Sequence, residues 1–407
     1  VARSTANSRV RIVRDSSSFR RENTTQFYQS KIAQKNPQLV LNSDLPLSER
    51  RDDITEENNA TITKVTGEYR LRATSDTDSR ALLRTRQRGN YLSGSVLEVG
   101  LGVRIPTQPT GDAIIRWGYF DDNDGIYYKY DSDGVCLKVR KGGSDVLEVR
   151  QKDWNLDTLD GSGPNQSNPS GSNLNLADGA IFQIPFAYYG YGAIDWEVGI
   201  SDFDNDYFVR SVHQENMQGT TIDEPNLPLA IEVDSGTSGQ QLDCFVGGRQ
   251  ISPLGSSDNL FRTTEGTRLS RAITDTAFRP VISFRHKTGF ENIFVRLGAI
   301  DFISDSDGIF ELQRNATLSG DSFTYTGNQT EAEKAVEIDV SAGNTYTNGE
   351  AIYRGTFEGG TGSKITAGTA DLPQRPISEL DTIALAAKTL TGSGTLEATI
   401  LKIQEDW

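Results

Sequence analysis

Apolar residues recur at every second position through most of this chain, and short clusters of Asp, Asn, Ser and Gly interrupt them. In AIDWEVGI, Ile194, Trp196, Val198 and Ile200 share one face, while Ala193, Asp195, Glu197 and Gly199 share the other. A period of two puts one side of a strand on a core and the other in water. The same period runs through Val135, Leu137 and Val139, through Leu229, Ile231 and Val233, and through Ile293, Val295, Leu297 and Ala299. Between such runs lie NDG at Asn123–Gly125, SDG at Ser132–Gly134 and the pair Gly247–Gly248. Residues of these types tolerate the positive φ of a tight hairpin, so all three are read as hairpin turns. Helical periodicity is confined to TEAEKAVE and ISELDTIALAAKTL, both short. The fold class expected is all-β, built from antiparallel β-sandwich, jelly-roll-like domains.

Three segments are expected: an extended Arg-rich N-terminal arm over 1–65, a first β-sandwich domain over 66–255 and a second over 256–407. The arm carries Arg3, Arg9, Arg11, Arg14, Arg20 and Arg21 against a single acid, Asp15, in its first 21 residues. Its composition suits a disordered tail. It suits equally an assembly arm whose guanidinium groups bind the acidic surface of a neighbouring copy, with VRIV and LVLN docking as added strands. The polar stretch SPLGSSDNLFRTTEGTRLSRAIT marks the boundary between the two domains. GSGPNQSNPSGSN at 161–173 is too long for a hairpin turn and is expected to project as a loop.

Charge and cysteine usage exclude several functions. The 407 residues sum to a net charge of −15 with a pI near 4.7, against the positive surface that binding of the nucleic-acid backbone requires. Cys136 and Cys244 are the two cysteines, each inside a strand-like run, so neither a disulfide framework nor a metal cluster is expected. No run approaches the length of a membrane span, about 18 apolar residues, and no signal peptide opens the chain. These features fit folding in a reducing cytoplasm, with no cofactor and no membrane or nucleic-acid partner.

Candidate chemistry is sparse. An EF-hand loop needs acids at alternate positions before its glycine. Counting back from Gly125, Gly134 and Gly308, the third such position holds Phe120, Lys129 and Ile303. Asp195 and Glu197 flank Trp196 on one strand face, the arrangement that a polysaccharide depolymerase would use as its acid pair. With no third acid continuing the alternation, both are read as solvated carboxylates on a wet face. His213 and His286 are the only histidines, and no nucleophile or zinc motif surrounds either. The densest aromatic cluster, in IFQIPFAYYGYGAIDW, offers Tyr188, Tyr189, Tyr191 and Trp196 for a glycan or a subunit contact.

GYFDDNDGIYYKYDSDG, VRQKDWNLDTLDGSG and GAIFQIPFAYYGYGAIDWEVGI follow one another in an order that resembles a group of structural proteins of tailed bacteriophages. The shared features are the hairpin from Tyr119 to Gly134, the segment Gln151–Asn155 and the strand and turn from Ile181 to Gly192. The likeness covers about residues 66–255, and VDSGTSGQQLDCFVGGRQ extends it. It implies a non-enzymatic virion component, a capsid decoration, vertex or tail protein, assembled in the host cytoplasm and located on the virion. Its partners would be further copies of itself, as a trimer or higher homo-oligomer, and the major capsid or tail proteins. No catalytic residue carries over from the group. The alternative is a glycan-binding adhesin that recognises host-surface glycan through the aromatic turn.

Overall fold

A computed structural model of the chain describes Lys35 and residues 37–254 and 262–406, apart from 189, 202–206, 218, 275–276, 291–292, 325–333, 342, 361–363, 368–376 and 378–380. The six arginines of the expected arm, and Tyr189, lie outside the described residues. The chain divides into two compact units, 1–257 and 258–407.

The first unit contains, in chain order, β1 (Leu39–Leu41), β2 (Asp52–Glu57), β3 (Thr61–Lys64), β4 (Tyr69–Ala73) and β5 (Arg80–Thr85). β6 (Val96–Arg104), β7 (Ile114–Phe120), β8 (Gly125–Asp131), β9 (Gly134–Lys141) and β10 (Ser144–Arg150) follow. β11 (Ala180–Phe186), β12 (Ala193–Ser201), β13 (Tyr207–Asn216), β14 (Leu229–Asp234) and β15 (Leu242–Leu254) complete it. One sheet has the order β13-β12-β11-β6-β15-β4-β3, with β1 also paired to β15, and the other β10-β9-β8-β7-β14-β5-β2. Strands distant in sequence lie side by side (β6 with β15, β7 with β14) in the manner of a jelly roll.

Alternation explains the packing between the sheets. Leu97, Val99, Leu101 and Val103 of β6 and Phe182, Ile184 and Phe186 of β11 enter one core with Ile115, Trp117 and Tyr119 of β7 from the opposite sheet. Trp117 stacks on Tyr128 at 5.7 Å between ring centroids, and Phe182 meets the pair edge-on at 5.1 and 4.9 Å. The NDG and SDG segments form the β7–β8 and β8–β9 hairpins, with Gly134 at φ +100°.

Several expectations meet a different structure. Residues 39–41, 52–57 and 61–64, placed in the arm, are strands of the first unit, and LVL of LVLN adds to Arg249–Ile251 of β15 within the chain. Gly247 and Gly248 form no hairpin; they are a bulge inside the 13-residue β15, where the register with β6 shifts between Val246 and Arg249. The extra residue inverts the phase of alternation. Arg249 therefore enters the interior, where it pairs with Asp52 of β2 at 2.8 Å, both side chains essentially inaccessible. The loop expected to project at 161–173 is mostly exposed and is braced at its base. Fully buried Asp157 pairs with Arg210 at 2.8 Å and accepts from the Leu159 and Ser170 backbone N–H groups. Buried Asn168 ties Asp160 to the Ser172 carbonyl. Finally, ISELDTIALAAKTL supplies a strand, Thr382–Thr389, buried on both faces, where runs of small residues can pack.

The second unit is likewise antiparallel, with two five-stranded sheets and a two-stranded ribbon among the described residues. Phe284, Val295, Phe302, Phe310, Leu385 and Ile403 belong to its own core. RTTEGTR, read as part of an irregular boundary, is the strand Arg262–Arg268, paired with Thr399–Glu405. It escapes an apolar pattern because its inward positions are Thr264, Gly266 and Arg268; Thr264 donates to buried Glu405 at 2.9 Å.

Both cysteines are buried thiols. Burial pushes Cys136 up to about 11 and Cys244 higher still, so neither forms thiolate near neutrality. The native protein at pH 8 is expected to stay unmodified by iodoacetamide, with two thiols alkylated in urea, as intact mass would show.

Candidate functional site

The connections at 88–95, 121–124, 141–143, 188–192 and 217–228 interlock through hydrogen bonds. Tyr188 anchors the aromatic turn: its N–H donates to the Tyr91 hydroxyl at 2.9 Å and its own hydroxyl donates to the Ile222 carbonyl at 3.1 Å. The turn closes through Tyr191 N–H and Gly192 N–H, both donating to the Tyr188 carbonyl. A Cβ on Gly192 would stand 1.5 Å from the Ala187 carbonyl oxygen, so only glycine fits there. Thr221 then stitches this turn to the 217–228 connection, its N–H donating to Gly190 O at 3.1 Å and its hydroxyl to Gly192 O at 3.3 Å.

Tyr191 is held on this clamped turn with 71% of its surface exposed. Next to Thr221, the Thr220 carbonyl accepts from Lys141 at 3.0 Å and the Thr220 hydroxyl accepts from it too, and Lys141 lies 3.5 Å from a carboxylate oxygen of exposed Asp223. Asp223 is fixed through its backbone, whose N–H donates to Asp124 at 2.9 Å. Asp124 is itself buried, and desolvation raises its carboxyl above the usual range. An exposed ring can stack on an apolar face, and the hydroxyl, ammonium and carboxylate on the connection tied to its turn can exchange hydrogen bonds with hydroxyl groups.

The remaining candidates are elsewhere. Trp196 is fully buried, packed in the core at a tilt 5.6 Å from the His213 ring, and offers no contact surface. Asp195 and Glu197, read as solvated, are buried; the Ser211 hydroxyl lies 3.1 Å from one and 3.3 Å from the other, and both carboxylates are further engaged. His213 accepts from Asn155 N–H at 3.2 Å, and burial lowers its pKa. His286 bonds the Ile293 carbonyl at 3.0 Å. Among the described residues no three His, Cys, Asp or Glu side chains converge to hold a metal ion. Lys141, Thr220 and Asp223 escaped sequence reading because Lys141 is far in sequence from the connection that carries the other two, and no local pattern marks any of them.

No family model matches the chain, and no curated protein does. Solved structures similar to part of it include the carbohydrate recognition domain of Emp47p, at 11% identity and a TM-score of 0.33, over 54% of this chain and 96% of that one. The Lotus tetragonolobus seed lectin is similar at 8% identity and a TM-score of 0.34, over 54% and 100%. A legume lectin-like domain from Entamoeba histolytica is similar at 13% and 0.33, over 54% and 98%. None of these is a virion protein. The resemblance of residues 66–255 to phage structural proteins thus finds no counterpart, and what it implied is withdrawn: the capsid or tail role, the homo-oligomer, the virion partners and the place on a particle. The physical reason lies in the motifs that carried it. DDNDG and DSDG are hairpin chemistry and IFQIPF is a core strand, features that any sandwich of this kind requires.

Proposed function

We propose that the first unit is a non-enzymatic glycan-binding module whose platform is Tyr191. The observation that carries this reading is the 71% exposure of that ring on a turn clamped at both ends, with Thr221 tying the turn to the connection that carries Asp223. A large apolar ring held in water at a fixed angle loses little entropy on binding, and its face suits the C–H face of a sugar. The reading rests on this site and not on the fold likenesses. Binding rather than hydrolysis is favoured because the chain's paired carboxylates, Asp195 and Glu197, are buried and already engaged.

The test is a glycan array probed with the full chain, followed by titration of the best ligand. Tyr191→Ala is expected to weaken that affinity at least tenfold, about 1.4 kcal/mol, while leaving the unfolding midpoint in place. An array with no ligand, or a ligand bound equally by Tyr191→Ala, would overturn the proposal. Shortening of the bound polysaccharide during incubation would overturn its non-enzymatic part.

A further inference from the structure

Residues 155–157 cover the outer edge of β13, which ends its sheet among the described residues. The Leu156 and Asp157 N–H groups both donate to the Val212 carbonyl at 3.1 Å. The Asn155 side chain donates to the Gln214 carbonyl at 2.8 Å and accepts from the Gln214 N–H at 3.0 Å. Such a cover keeps a strand edge from pairing with other chains. One fastening differs from the rest: the Asn155 N–H donates to Nδ1 of buried His213 at 3.2 Å. A backbone N–H can only donate, so this nitrogen carries no proton. The ring's single proton is therefore on Nε2, 3.4 Å from a Glu215 carboxylate oxygen. A second proton has to enter at Nδ1, facing another donor.

We propose that His213 is an acid-operated latch: neutral, it holds Asn155 on the β13 edge, and protonated, it lets residues 155 and 156 off that strand. Asp157 is the hinge. Its carboxylate pairs with Arg210 of β13 at 2.8 Å and accepts from the Leu159 and Ser170 N–H groups, none of which involves the ring. Among the described residues, Glu215 is the charged group facing the imidazole. On β12, Trp196 lies against the ring, while Asp195 and Glu197 turn to the opposite face of the sheet and meet Ser211 there. On the covering segment, Lys152 and Asp153 are exposed. Desolvation lowers the His213 pKa from its usual 6.5, with Glu215 opposing. The closed form thus binds fewer protons than the open one. The latch is fully held above pH 6.5 and weakens as the pH falls below it.

The experiment is residue-resolved amide hydrogen exchange of the full chain from neutral to mildly acid pH, corrected for the intrinsic pH dependence of exchange. Asn155 and Leu156 are expected to lose protection severalfold on acidification, while Leu159 and Ser170, held by Asp157, keep theirs. In His213→Asn the side-chain oxygen can accept from the same N–H without titrating, so the profile should become flat. Glu215→Gln, a change at a partly exposed position, removes the carboxylate that favours the imidazolium and should move the loss to lower pH. This second variant keeps the test open where His213→Asn does not fold. Constant protection of Asn155 and Leu156 across the range would overturn the latch. So would an unaltered profile in Glu215→Gln, or an equal loss at Leu159 and Ser170, which would mark opening of the whole region.

Discussion

Arg249→Met is expected to destabilise the first unit by about 3–5 kcal/mol, the usual cost of stranding one member of a buried ion pair. Asp52 is fully inaccessible and Arg249 nearly so, and their 2.8 Å contact joins β2 of one sheet to β15 of the other. One oxygen of Asp52 and two nitrogens of Arg249 find no hydrogen-bond partner among the described residues, so each charge leans on the other. The Tyr69 ring, 5.4 Å from the guanidinium, covers it without supplying an acceptor. Asp52→Leu alone should cost a similar amount. The double replacement Asp52→Leu with Arg249→Met should recover most of the loss, because an apolar pair of similar volume leaves no charge to desolvate. Urea unfolding followed by circular dichroism measures all three. Single variants within 1 kcal/mol of the parent would show that the pair is hydrated.

Trp117→Ala should cost about 3–5 kcal/mol, the range for removing a large aromatic side chain from a packed core. Trp117 is fully buried and bridges the sheets, stacked on Tyr128 and met edge-on by Phe182. Such ring pairs add about 0.5–1.5 kcal/mol each beyond area burial. Its indole N–H has no partner among the described residues, so Trp117→Phe loses volume without orphaning an acceptor there and should cost less. The same unfolding experiment reads both. A Trp117→Ala loss no greater than that of Tyr191→Ala, expected within about 0.5 kcal/mol for a surface position, would contradict the packing described.

At the candidate site, the tyrosine turn was visible in the sequence because four aromatic residues crowd around two glycines. Which ring is usable was not visible. Tyr188 spends its hydroxyl on the Ile222 carbonyl, Trp196 faces the core, and Tyr191 faces water. Alternation had already put Trp196 with Ile194 and Val198, and it is that pattern, not aromatic content, that decided its place.

Period-two alternation and turn chemistry were enough to define an all-β chain, the core faces of β9, β12 and β14, and the hairpins at Asn123–Gly125 and Ser132–Gly134. These depend on residues near one another in sequence, where a side chain's direction follows from its neighbours. Alternation failed where an extra residue entered a strand. The Gly247–Gly248 bulge turned Arg249 inward, and the register shift between Leu297 and Ala299 replaced Ala299 by Ile300 on the core side. A bulge is imposed by the strand alongside, and that strand is far away in the chain. The same holds for the Asp52–Arg249 pair, 197 residues apart, and for the meeting of Lys141, Thr220 and Asp223. Contacts of that kind exist only after the sheets have closed, because the free energy that selects them comes from desolvation shared between distant strands.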